Sequence, residues 1–145
     1  MTTIRVHGTP APQGSKRAFA HKNTGRIVVV EQQHARVKSW RQAVIGAAGG
    51  TGFGDGPIML TVTFWLNRPK GHYGTGRNAG KLKASAPRFP ASMPDLDKLL
   101  RATMDALTAA GCWTDDSQVI CCSAAKYYAP AGQSSGADIH IGSAE

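Results

Sequence analysis

Acid is what this sequence has least of. Nine Asp and Glu stand against seventeen Lys and Arg in 145 residues, a formal net charge of +8. No acid occurs from Met1 to Val30, and none from Gly56 to Pro94, where Arg68, Lys70, Arg77, Lys81, Lys83 and Arg88 all fall. Basic tracts without counter-charge suit a polyanion, most commonly nucleic acid, better than they suit a merely solubilising surface.

Cysteine is scarce too. Cys112, Cys121 and Cys122 are an odd number, two are adjacent, and none sits in a CxxC with a matching partner. That excludes a disulfide framework and a structural zinc site, and leaves reduced thiols in a cytosol. Long apolar runs are also missing: nothing approaches the ~20 residues that cross a bilayer, and no stretch reads as a signal peptide. The expectation is a soluble cytoplasmic protein with no membrane partner. Its length fits one domain spanning 1–145, which buries roughly two-thirds of the surface its unfolded chain exposes.

The chain reads as alternating elements. "TTIRVHG" and the β-branched "GRIVVV" predict two strands, with "TPAPQGSKRAFAHKNT" a loop between them. Gly14-Ser15-Lys16 has the wrong order for a phosphate loop and no helix pattern follows, so no nucleotide cofactor is expected; Lys16 and Arg17 read as DNA phosphate contacts. Val37, Trp40, Val44, Ile45 and Ala48 recur at helical spacing from Gln33 to Ala48. "PIMLTVTFWLN" predicts a strand with both faces substantially buried. A long basic loop at about 67–94 follows, in which Tyr73 or Phe89 is placed to stack on a base. Leu96, Leu99, Leu100, Thr103, Met104 and Leu107 then make one helical stripe closed by Gly111, and "SQVICCSAAKYYA" and "ADIHIG" predict two last strands. The order β-β-α-β-α-β-β points to α+β, a mixed sheet with two main helices packed on it.

Five of the nine acids, Asp95, Asp97, Asp105, Asp115 and Asp116, crowd between positions 95 and 116. Pro94 places "PDLD" where loop passes into helix, and in extended backbone the two carboxylates share a face and converge on one ion. Asp115 or Asp116, at the start of the next strand, supplies a third ligand; alternation lets only one of them point there. Two or three carboxylates with retained waters make a magnesium site of the kind found in enzymes acting on phosphates. Simpler roles compete: Asp95 as a helix N-cap, Asp115-Asp116 as a solvated turn, Asp105 as an ion-pair partner of Arg101 one turn before it. Concentrated carboxylate in a nucleic-acid-binding chain favours the metal, because unneutralised it repels the ligand. The five histidines have no metal-ligand spacing.

"PDLDKLLRATMDALTAAGCWTDDSQV" resembles the core motif of the RusA family of Holliday junction resolvases, in which "DxDN" opens a helix ending in "DAL", followed by glycine, an aromatic and "DD.Q[VI]". The likeness covers about 26 contiguous residues, with looser agreement in the flanks. It implies a RusA-like fold and a homodimeric, Mg²⁺-dependent endonuclease, common in phages and prophages, acting on branched DNA and above all four-way junctions. Mn²⁺ is expected to substitute. The family's metal ligands fall on Asp95, Asp97 and Asp116. Its usual Asn is Lys98 here, and its helix lysine is Arg101, which grips phosphate but cannot give up a proton. Lys126 falls near the site by the same resemblance, among the DNA contacts.

The reading is a structure-selective endodeoxyribonuclease: Asp95, Asp97 and Asp116 hold one or two Mg²⁺, ~4 Å apart if two, and Arg101 or Lys98 neutralises the scissile phosphate. The rival is a non-catalytic architectural or regulatory DNA-binding protein. A four-way junction must be cut on two opposed strands, and one acidic cluster offers one centre, so a C₂ homodimer is expected. The Ile58–Leu66 strand and "VICC" supply apolar faces for it.

Overall fold

The structure, a computed structural model, describes residues 1–14, 16–20, 25, 27–31 and 34–144, with the backbone alone for 16–20 and 27–31. Its elements are β1 (Thr2–His7), β2 (Lys16–Ala20), β3 (Ile27–Glu31), α1 (His34–Ala48), β4 (Ile58–Leu66), α2 (Leu96–Ala109), β5 (Val119–Tyr128) and β6 (Gly136–Ser143). A four-stranded sheet has the order β1-β6-β4-β5, antiparallel except for the parallel pair β4·β5. The fold is α+β with a mixed sheet and two helices, as the pattern predicts. A parallel pair needs a crossover longer than a turn, and α2 lies within it.

Two expectations fail locally. Lys16–Ala20, inside the expected loop, is a strand that forms a separate hairpin with β3, with Lys16 opposite Glu31. Its own pattern is weak; the β-branched Ile27–Val30 run provides an edge whose pairing outweighs local propensity.

The second concerns β4. Its Ile58, Leu60, Val62, Phe64 and Leu66 face is fully buried, together with Ile4, Val6, Ala137, Ile139 and Ile141 of the flanking strands. Against them pack Val37, Trp40, Val44 and Ala48 of α1 and Leu99, Ala102, Ala106 and Leu107 of α2. Trp40 meets Phe64 with ring centroids 6.4 Å apart and donates from Nε1 to Thr103 Oγ1 at 3.1 Å, so the buried polar atoms of both residues are satisfied. Both helices lie on this one side. Met59 and Thr61 on the other face are exposed and Thr63 and Trp65 half-buried, so among the described residues only one face of β4 is fully covered.

Candidate active site

The acidic cluster is built around the two ends of α2. At the head, Asp95 has extended backbone (φ −68°, ψ 135°) and Leu96 begins the helix. Asp95 occupies the N-cap position through its backbone, with Leu99 N donating to its carbonyl at 3.1 Å, but its side chain makes no capping hydrogen bond. The carboxylate is exposed and lies 3.6 Å from Lys98 Nζ. Asp97, in the first turn, is exposed as well. Both sit at the N-terminal end of the helix.

Lys126 on β5 reaches this head from the sheet. Its Nζ donates to the carbonyls of Ser92 at 2.6 Å and Pro94 at 2.8 Å, fixing the segment that delivers Asp95. One turn beyond Asp97, Arg101 is exposed beside Gly14, at φ +107°, where any Cβ would collide with Arg101 Nη1. The loop after β1 thus lies along α2. Gln13 N donates to the Lys98 carbonyl at 3.0 Å, and Gln13 Nε2 donates to Asp105 Oδ2. Asp105 therefore answers to Gln13 instead of the expected Arg101, and no Arg101–Asp105 ion pair occurs among the described residues.

At the tail, the Asp115-Asp116 pair divides its work. Asp115 caps a 3-10 turn over Asp116–Gln118: its side chain accepts from Ser117 N at 2.8 Å while Gln118 Oε1 accepts from Asp115 N at 3.0 Å. The Ser117 backbone amide holds the Asp115 carboxyl below its usual range. Asp116 turns the other way, toward α2. Its Oδ1 accepts from the Thr108 hydroxyl and from Trp113 Nε1 at 3.1 Å, and Trp113 Nε1 also donates to Thr108 Oγ1 at 2.7 Å. Alternation predicts that only one aspartate of the pair turns toward the helix, but not that the other caps a turn; Thr108, Trp113 and Gln13 as supports are not legible either, since nothing local marks them.

The structure brings Asp95 and Asp97 to one place and Asp116 to another. Asp116 meets the helix at Thr108, eleven residues past Asp97, about 16 Å at the rise of an α-helix. Accordingly, among the described residues no three His, Cys, Asp or Glu side chains are grouped to hold a metal. The expected convergence within one chain fails because β5 runs back along α2: its start lies by the helix tail, and Lys126, near its end, lies by the helix head. As a donor set the three carboxylates still fit a hard divalent cation, offering oxygen and no sulfur.

The basic loop is ordered. Two 3-10 turns, Lys70–His72 and Gly76–Asn78, and bridges Tyr73↔Leu82 and Gly74↔Ala79 organise it. Arg68 anchors it, donating from Nη1 to the Pro87 carbonyl at 2.7 Å with its guanidinium 4.3 Å over the Tyr128 ring. Lys70, Arg77, Lys81, Lys83 and Arg88 are exposed. The Lys16 and Arg17 side chains lie outside the described residues.

The sequence model of the family described as Endodeoxyribonuclease RusA matches residues 8–141. No curated protein matches the chain. No helix among the described residues is long and apolar enough to cross a membrane.

Proposed function

The chain belongs to the RusA family of endodeoxyribonucleases, metal-dependent enzymes that resolve Holliday junctions, and on that premise we propose that its centre is completed between two copies of the chain. One observation carries this: Asp116 and the Asp95–Asp97 pair stand at opposite ends of α2. β5 is the outer strand of the sheet, with Ile120, Cys121 and Cys122 exposed along it. Its outer edge, unpaired among the described residues, is a template for another strand. Antiparallel apposition of two β5 edges about a two-fold axis sets the Asp116 end of each beside the Lys126 end of the other. Asp116 of the partner subunit then approaches Asp95 and Asp97, and the homodimer carries two centres, matching the symmetry of a four-way junction.

Asp95, Asp97 and the partner subunit's Asp116 would hold Mg²⁺, or Mn²⁺ in its place. The ion, when bound, supplies an activated water and positive charge for the phosphate under attack. The chain's own groups do the rest. Lys126 holds the 92–94 segment and with it the Asp95 carboxylate. Thr108 and Trp113 orient Asp116 through one carboxylate oxygen and leave the other for the cation. Arg101, on the same helix face as Asp97, is placed to grip a non-bridging phosphate oxygen bidentately, whereas Lys98 can also yield a proton to the departing oxygen. Branched DNA is the substrate, contacted by Arg77, Lys81, Lys83 and Arg88 of the loop.

Labelled four-way junction DNA incubated with the protein in Mg²⁺ should be cut on opposed strands, and in EDTA should be bound but intact. Asp95→Asn, Asp97→Asn and Asp116→Asn should each lower cleavage by at least about 10²-fold while binding in EDTA survives, whereas Asp105→Asn, which can still accept from Gln13, should be mild. A near wild-type rate in any of the first three removes that residue from the centre.

A further inference from the structure

On the open side of β4 and β5, opposite the face that packs the helices, three aromatic side chains and one cationic one meet. Trp65 and Tyr127 are cross-strand neighbours with ring centroids 5.7 Å apart, and Phe89 from the basic loop closes on Tyr127 at 6.3 Å. Arg88 lies 5.4 Å from the Phe89 centroid, and at the end of the strands Arg68 lies 4.3 Å from the centroid of Tyr128, which packs on the core side. A recess of about 430 Å³ runs between these rings and Leu82. Large apolar groups are left open at its rim: Phe89 is 54% exposed, Leu82 53% and Tyr127 40%.

The loop presents these groups in a fixed shape. Gly74 N donates to the Lys81 carbonyl and Lys83 N to the His72 carbonyl, both at 2.9 Å, and a Cβ on Gly74 would stand 2.6 Å from Asn78 Cβ. Such rigidity, maintained so that apolar rings face water, has an energetic cost that folding does not recover within the chain.

Charge selects the occupant. There is no acid between Gly56 and Pro94, Arg68 and Arg88 line the recess, and the carboxylate that meets the rings, Asp138, accepts from Trp65 Nε1 at 2.9 Å and is itself paired with Arg5 at 3.3 Å. Open ring faces beside Arg68 and Arg88, with the Asp138 carboxylate engaged by Trp65 and Arg5, match a ligand that is flat and apolar in one part and anionic in another. Lysine- and arginine-bearing partners are repelled.

We propose that this recess is a stacking site for an unpaired nucleobase of the DNA substrate, with Phe89 and Tyr127 as the platform and Arg88 on the adjoining phosphate. The proposal rests on the nuclease reading and adds to it a subsite for single-stranded character. Its position suits the chemistry. Lys126 and Tyr127 are successive residues pointing to opposite sides of β5, one to the segment before Asp95 and the other to the platform. Phe89 precedes Asp95 by six residues, a span of at most ~20 Å of chain, so a base on the platform lies within a few nucleotides of the phosphate at the acidic site. Branch points are where such a base is cheapest to expose.

The test uses the full-length protein in EDTA with a single-stranded oligothymidine carrying one 2-aminopurine, beside a fully paired duplex of the same length. Wild type should quench the 2-aminopurine emission. Phe89→Ala should abolish most of the quenching and weaken single-strand binding about ten-fold with duplex binding unchanged, and Phe89→Trp should restore both. Equal losses on single strand and duplex, or quenching that persists in Phe89→Ala and Tyr127→Ala alike, would overturn the platform. So would a shift of Phe89→Ala from dimer to monomer in sedimentation, since the recess would then be covered by a second copy. Asp97→Asn should quench as wild type does, so failure of the platform and failure of the nuclease centre are read separately.

Discussion

Lys126 Nζ lies 2.8 Å from the Pro94 carbonyl oxygen and 2.6 Å from that of Ser92. A cation with two of its three ammonium hydrogens given to backbone carbonyls is positioned to hold the head of α2, and only secondarily to bind phosphate. Lys126→Met should therefore slow junction cleavage by about 10²-fold, the cost of letting a reacting group drift by about an ångström, with binding in EDTA unchanged. Arg at this position should recover part of the rate. If cleavage and binding fall together, Lys126 is a DNA contact instead.

The loop cations act at longer range. Replacing Arg77, Lys81, Lys83 and Arg88 by Gln should weaken binding to every DNA and flatten the dependence of log affinity on log salt by about 0.9 for each phosphate no longer neutralised. Arg68→Gln should behave differently, because its guanidinium braces Pro87 and Tyr128: it should also raise proteolytic sensitivity between residues 67 and 94. A salt slope that stays put in the fourfold variant would leave the loop as a solubilising surface.

Cysteine labelling reports on β5. Cys112 is fully buried, and burial pushes its thiol up. Partial burial, with the neighbouring Cys121 adding to it, also pushes the Cys122 thiol up, so less thiolate is present at neutral pH. Iodoacetamide at pH 7.5 should modify Cys121 first, Cys122 more slowly and Cys112 only after unfolding. As pH rises, the Cys122 rate should gain on that of Cys121. Both β5 thiols should become protected as protein concentration is raised into the dimer range, and concentration-independent rates would place the interface elsewhere.

What the sequence discloses follows the range of the interactions involved. Helices α1 and α2 are legible because Trp40, Val44, Leu99 and Leu107 repeat at 3.6-residue spacing, a local signal. The motif from Pro94 to Val119 is equally local, and it carries the family. β2 is hidden because the Lys16–Ala20 segment becomes a strand only by pairing with Ile27–Glu31. The open face of β4 is hidden because alternation between Thr61, Thr63 and their apolar neighbours does not say on which sides the helices pack. The separation of Asp116 from Asp97 is concealed for the same reason: closeness in sequence suggests a shared ion, while the direction of β5 against α2, fixed only in the folded chain, puts a helix length between them.

Subunit mixing tests the shared centre most directly. Asp97→Asn and Asp116→Asn chains, each inactive alone, are unfolded and refolded together at equal amounts, then assayed on labelled junction DNA in Mg²⁺. If each centre takes Asp97 from one chain and Asp116 from the other, half of the dimers are mixed and each of these has one intact centre. The mixture should then show about a quarter of the wild-type strand-cutting activity, as single nicks without paired resolution. A mixture as inactive as its two parents would mean that Asp97 and Asp116 serve the same centre from within one chain, and would contradict the account.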